Sequence, residues 1–432
     1  MAKEQPGEIP ERCLMVRSFS SMLTSVTQDN GDIHTRSLSP WTWRPTTEEH
    51  RIPHTIWEAE CSHSDCSESS QPAGTRNNAV PIYQNLLVLH KGPEKNCYIA
   101  SHRMVAVGCT CGLPSQSSTL RDADVPALFR EPYILSGYRP VGLSWRCYVL
   151  SIFQMHNETL NVWSHLLAGV CVVLRFGVFA GLSLDPASLP LVIYVLSSLT
   201  YLSCSTAAHL LQSHSELAHY SLFFLDYVGV AVYQYGCALA HFFYSSAADW
   251  RHSGIGEVFL PAAALLAWLT CASCCFAKLH YRRPYPLHRK LFQVVPTGLA
   301  YLLDISPVAH RLATNSWASN SAFPLHSLQM LLFILAAFFF SCPVPERYAP
   351  GHFDNVGHGH QLFHLLLALC TLTQQEALFQ DFLSRRPAMI RDFGEESLLL
   401  ACGSFPLLAL CSGLIAFLMR RRARMRLWKE QR

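Results

Sequence analysis

The stretch SLLLACGSFPLLALCSGLIAFLMRRRARMR, from Ser397 to Arg426, holds 23 residues without a charge and then five arginines in seven positions. A run of about 20 apolar residues crosses about 30 Å of hydrocarbon as a helix, and a basic segment directly after it marks a cytoplasmic end. Working backward from it, seven more runs of the same kind lie near 162–182, 191–211, 221–244, 258–277, 291–309, 325–342 and 360–379. Together they predict eight spans. The fifth run is the weakest, because Pro296, Asp304 and Pro307 interrupt it. Asp304 before Pro307 predicts a broken helix whose freed carbonyls face a cavity.

Composition agrees. Half of the 432 residues are apolar and 15 % are charged, and mean hydropathy is +0.17; soluble chains carry about 25 % charged residues. A net charge of +3 provides no basic stripe, so no nucleic-acid partner is expected. Residues 1–120 differ from the rest, with ten basic and twelve acidic residues among many Ser, Thr, Pro and Gln. The sequence therefore predicts an all-α polytopic membrane helix bundle with a disordered N-terminal extension. Its parts are a polar extension over 1–120, a cytoplasmic juxtamembrane segment over 121–160, the bundle over 161–420 and a basic tail over 421–432. No secretory signal opens the chain, which leaves the first span as its own insertion signal. The 17 cysteines, mostly inside apolar runs, are expected as buried thiols rather than bridges.

Loop charges set the orientation. Sixteen Lys and Arg flank the spans on the amino-terminal side, among them Arg130, Arg139, Lys278, Arg282, Arg289 and Arg420–Arg422, against five on the other. The positive-inside rule then places both termini in the cytoplasm, which requires an even number of spans. Ionisable residues within spans are costly and mark candidate sites. His209 ends span two, Asp226 opens span three, and His360 and His364 open span seven. In this orientation all four meet near the inner leaflet. His360 and His364 are four apart, so both rings face one way from one helix, and a third imidazole from His209 leaves a fourth position for water, the open arrangement of catalytic zinc. Asp226 and Ser205, the latter one turn before His209, are candidate catalytic residues if the chain is a hydrolase. Glu158, Asn161 and His165 follow helical spacing and are expected to cap and pack span one.

The segment His156-Asn157-Glu158-Thr159-Leu160-Asn161-Val162-Trp163-Ser164-His165-Leu166-Leu167 resembles the first-span signature of the progestin and adipoQ receptor family. Ser205-x3-His209, Asp226 and His360-x3-His364 are similar to that family's zinc set. Segments 128–134, 137–140, 304–311 and 341–347 resemble its progestin-receptor branch, of alpha and beta type, where an eighth span also fits. The resemblance covers about 125–429. It implies Zn²⁺ on His209, His360 and His364, binding of progesterone or a related steroid at the plasma membrane, and rapid signalling through inhibitory G proteins.

A flat apolar steroid needs a cleft between helices with one or two polar groups. Gln234, about 12 Å up span three from Asp226, is the candidate ligand donor, with Tyr233 beside it. Gln374, Gln375 and Glu376 lie deep in span seven and either line the same cavity or bond Arg175 or Asp304. The competing reading is a zinc-dependent lipid amidase similar to alkaline ceramidases, in which a zinc-bound water attacks a ceramide amide. A third reading leaves zinc as a structural tie between spans. The polybasic tail is expected to meet anionic lipid, worth about 1 kcal/mol per charge.

Overall fold

The computed structural model describes residues 37, 39–63, 78–91, 98–112, 119–179, 185–282, 285–314 and 321–430. Two units are separate, Met1–Ser117 and Ser118–Arg432.

In the second unit all eight spans are helices: α1 (Thr159–Phe179), α2 (Leu189–Leu211), α3 (Glu216–Ala240), α4 (Gly254–His280), α5 (Leu287–Thr314), α6 (Phe323–Ser341), α7 (Gly359–Phe393) and α8 (Glu395–Glu430). A π-helical turn, His241–Ser245, extends α3. Local chemistry explains the boundaries. Ser215 and Ser253 cap α3 and α4 by accepting the N–H groups of Ala218 at 3.1 Å and Gly256 at 3.2 Å, donors with no partner inside the helix. Glu346 accepts the N–H of Gly359 at 2.7 Å, placing a carboxylate at the positive end of α7.

Helices α1 to α5 each pack on the next, α6 packs on α7, and α7 returns to α1, while α8 lies against α3 and α4. The closest approach is between α2 and α3, where glycines remove the side chain that would hold the backbones apart. A Cβ at Gly229 would stand 2.8 Å from the Tyr201 Cα, and one at Gly236 would collide with Ser197. Small residues at such contacts let membrane helices approach closely. This seam fixes the height of His209 on α2 relative to Asp226 on α3.

The predicted break in span five does not occur: α5 is continuous from Leu287 to Thr314. Proline removes the N–H that the carbonyl four residues back would accept. Neighbouring hydroxyls supply the missing donors instead. Ser306 donates to the Leu303 carbonyl at 2.7 Å below Pro307, and Ser273 of α4 donates to the Phe292 carbonyl below Pro296. Carbonyls satisfied in this way do not open a cavity.

The amino-terminal unit differs from the disorder expected over 1–120. Five strands occupy Trp41–Thr47 (β1), Arg51–Ile52 (β2), Thr55–Cys61 (β3), Asn78–Lys91 (β4) and Tyr98–Gly112 (β5); residues 1–36 lie outside the described residues. β1 pairs antiparallel with β3, and β2, β4 and β5 form a second antiparallel sheet. Polar composition concealed the strands because their buried core is small, formed by Ile56, Val88 and Val105. Arg51 is fully buried and donates to Glu48 at 2.7 Å and to the carbonyls of Thr46, Pro53 and His54, holding the β1–β3 connection. Cys61 and Cys109 form a disulfide. The expectation of free thiols therefore fails for this pair, while the described cysteines of the helical unit are free thiols.

Gly229→Ala is expected to destabilise the bundle by about 1–3 kcal/mol, the usual effect of overpacking. Its thermal unfolding in detergent should fall clearly below that of Gly403→Ala, where a Cβ meets nothing within 4 Å.

Candidate metal centre

The last turn of α2 and the first turns of α7 bring three imidazoles together. One ring nitrogen each of His209, His360 and His364 lies within 4.8 Å of the others. Ring centroids are 5.2 Å apart for His209–His360, 4.6 Å for His209–His364 and 4.7 Å for His360–His364. The spacing of four residues in α7 sets the last distance, because it stacks the two rings on one helix face.

Glu158 gives the group its direction. Its carboxylate takes the Nδ1–H of His209 at 2.7 Å, which leaves the Nε2 lone pair for a metal. Asn161 donates to the same carboxylate at 2.6 Å and Gln212 donates at 2.5 Å. Burial would raise the Glu158 carboxyl, but the adjoining His209, the hydrogen bonds and His360 outweigh it and hold the group well below its ordinary range. Arg139 grips the end of α2, donating to the carbonyls of His209 at 2.7 Å and Leu210 at 2.6 Å. Burial drives the His156 imidazole down to about 3, so it stays neutral and accepts the Glu158 N–H at 3.1 Å. The segment before α1 thus supports the centre from below. It is tied to the loop before α7 through Asp354, which accepts from the Leu135 N–H at 3.0 Å and the Ser136 hydroxyl at 2.6 Å.

The donor set fits a divalent metal that takes nitrogen ligands. His364 Nδ1 is buried without a hydrogen-bond partner. Packing three imidazoles this closely, with one held by a carboxylate, matches the three-histidine zinc arrangement with an oriented ligand. Beside them, the Asp226 carboxylate lies within electrostatic reach of His209 and Lys278, with Ser205 close by. Lys278 also lies over the Phe223 ring at 3.8 Å, and Phe223 meets His209 edge-on.

The other candidates lie farther up the bundle. Tyr233 spends its hydroxyl inside the protein, donating to Gln374 at 2.6 Å and lying 3.1 Å from the Thr371 hydroxyl. Gln234 is half-buried, and its side-chain oxygen has no partner. The three polar residues of α7 part company: Glu376 forms two 2.9 Å bonds with Arg175, Gln375 donates to the Val172 carbonyl, and Gln374 reaches His241 at 3.1 Å. Sequence reasoning assigned Glu158 to capping and missed its bond to His209. The available signal was a carboxylate at the same membrane face as the three histidines.

Comparison with known proteins places these residues in context. Residues 153–375 match the family described as haemolysin-III related, and residues 37–113 match the pattern described as interleukin-17. The chain is 55 % identical over 325 residues to membrane progestin receptor beta of Homo sapiens, covering 74 % of this chain and 92 % of that protein. Identity to the Mus musculus beta receptor is 54 % over the same length and the same shares. To membrane progestin receptor alpha of Sus scrofa it is 52 % over 279 residues, covering 63 % of this chain and 79 % of the other.

Glu158→Gln is expected to weaken divalent-metal binding at this cluster by about 10–100-fold, as loss of an orienting carboxylate does elsewhere. His360→Ala should leave purified protein without a stoichiometric metal. Metal analysis and chelator competition on both variants measure these outcomes.

Proposed function

The chain belongs to the haemolysin-III-related family and, within it, to the progestin and adipoQ receptors of membrane progestin receptor alpha and beta type, and on that premise we propose a plasma-membrane receptor for progesterone or a related steroid. The observation that carries this reading is identity above one half over 325 residues, across 92 % of a receptor of that name. Signalling is rapid and non-genomic in this proposal, with an inhibitory heterotrimeric G protein as partner.

We assign the steroid to a cleft reached from α3, with Gln234 as the polar contact and Tyr233 as its neighbour. The half-buried amide of Gln234 supports this, since its NH₂ can donate to a steroid ketone, a contact worth about 0.5–1.5 kcal/mol. Tyr233 then shapes the wall rather than bonding the ligand, its proton being committed to Gln374. Zn²⁺ is assigned to His209, His360 and His364. Both termini are assigned to the cytoplasm by the loop charges, and the basic end of α8 to anionic lipid of the inner leaflet.

The second reading is a zinc-dependent lipid amidase, and the Ser205–Asp226 pair beside the three imidazoles favours it. Bound zinc supplies a Lewis acid there and lowers the pKa of water to about 7. The protein's own part is then to hold and move a proton. Asp226 carries it on its carboxylate, Ser205 fixes that carboxylate, and Glu158 keeps His209 in the tautomer that presents Nε2.

Saturable binding of labelled progesterone to membranes expressing the chain is expected to survive His360→Ala and to weaken about tenfold in Gln234→Leu, the loss of one polar contact of about 1.4 kcal/mol. Absence of binding above vector-only membranes, with the protein at the surface, overturns the receptor reading; zinc-dependent ceramide turnover in that material would establish the amidase. A tag placed after Arg432 should be reached by antibody only after permeabilisation, and labelling of intact cells would reverse the assigned orientation.

A further inference from the structure

Polar residues on α7 form a stripe through the bundle. His364, Thr371, Gln374 and Asp381 recur on its inward face over 17 residues, about 26 Å of helix and nearly the thickness of the hydrocarbon. At the outer end Asp381 is neutralised: it accepts from Arg311 at 2.6 Å, His326 at 2.8 Å and Ser245 at 2.6 Å. Glu376 is paired with Arg175, and Asp226 has Lys278. Between them stands Asp304 of α5, which differs from the other three. Its partner is the imidazole of His241, at 3.0 Å, with no Lys or Arg among its interactions.

Hydrogen-bond direction fixes the state of that imidazole. The phenol of Tyr233 donates to the Gln374 side-chain oxygen at 2.6 Å. The Gln374 amide therefore turns its NH₂ to His241 Nε2, 3.1 Å away, and Nε2 must accept. His241 then carries its proton on Nδ1 and donates to Asp304. Every donor in the chain points toward the carboxylate, and the one lone pair on which His241 could take a second proton is occupied. The imidazole begins the π-helical turn of α3, a geometry concentrated at functional sites. An ionised carboxylate beside a neutral imidazole leaves an uncompensated charge in the membrane interior, where such a charge is costly.

We propose that Asp304 is a reversible proton-binding carboxylate in the membrane interior, with His241 and Gln374 as its positioning residues. The proton reaches the carboxylate at the edge that the protein leaves uncovered, for a tenth of the Asp304 side chain is exposed and none of His241. It forms the neutral acid, and the pair passes from one negative charge to none. The titratable and charged groups around the pair are Tyr233 and Cys237 on α3, Tyr301 and Arg311 on α5, His326 on α6, and Cys370 and Asp381 on α7. Arg311 and His326 are both committed to Asp381, so neither supplies the missing positive charge. An imidazole-lined site with one carboxylate suits a proton rather than a calcium or magnesium ion, which requires several oxygen ligands.

Infrared difference spectra of the full chain in lipid nanodiscs, titrated between about pH 5 and 8, test this directly. The wild type is expected to gain a protonated-carboxyl band on acidification that Asp304→Asn abolishes. Gln374→Leu and His241→Gln should retain the band but move its midpoint, which a purely structural role would not do. Thermal stability of each variant reports whether it is folded, and Asp304→Asn keeps the side-chain shape. The wild-type-minus-Asp304→Asn spectrum, which cancels the carboxyls common to both chains such as Asp226, must keep this band; its absence with the variant folded overturns the proposal. A band that sodium displaces at constant pH also overturns it, in favour of a metal cation.

Discussion

A hydrocarbon interior tolerates an ionised side chain only when the protein supplies its partner, and the helical unit is organised around that demand. Arg175 crosses from α1 to Glu376 of α7, and Arg311 from α5 to Asp381 of α7. Each pair ties a different helix to α7, which also carries two of the three clustered imidazoles. The seventh helix is therefore the axis of the bundle. Steric closeness does the remaining work, with Gly229 and Gly236 bringing α2 against α3 so that the third imidazole meets the first two. At the end of the bundle that holds the three imidazoles the same demand is met by hydrogen bonding, as Glu158 shares its charge among His209, Asn161 and Gln212.

Much of this was legible in the sequence because bilayers impose simple rules. Length and apolarity gave the eight spans, and parity with loop charge brought His209, His360 and His364 to one face before any contact was known. Features that depend on a partner distant in sequence were less legible. Glu158 is 51 residues from His209, so helical spacing could assign it only a local capping role. Pro307 looked like a break because its sequence shows the lost donor but not the Ser306 hydroxyl turning to replace it. Gln374, Gln375 and Glu376 were read as a group that lines a cavity or bonds Arg175 or Asp304, yet a helix turns about 100° per residue and sends them to three neighbours, with Glu376 alone taking Arg175. The strands between Trp41 and Gly112 were hidden for a different reason. Their shared apolar core is small, and average polarity masks a pattern that alternates.

The Cys61–Cys109 bridge bears on how the chain is made. Packing of β3 against β5 brings these thiols within bonding distance, but the compartment decides whether the bond closes, and a cytosol keeps such pairs reduced. On the cytosolic side, where loop charge assigns the amino-terminal unit, the bridge therefore stands open to reduction by the thiol pool. The contact of β3 with β5 then has to hold without a covalent tie, and these two sulfur atoms report the redox poise of the compartment around them.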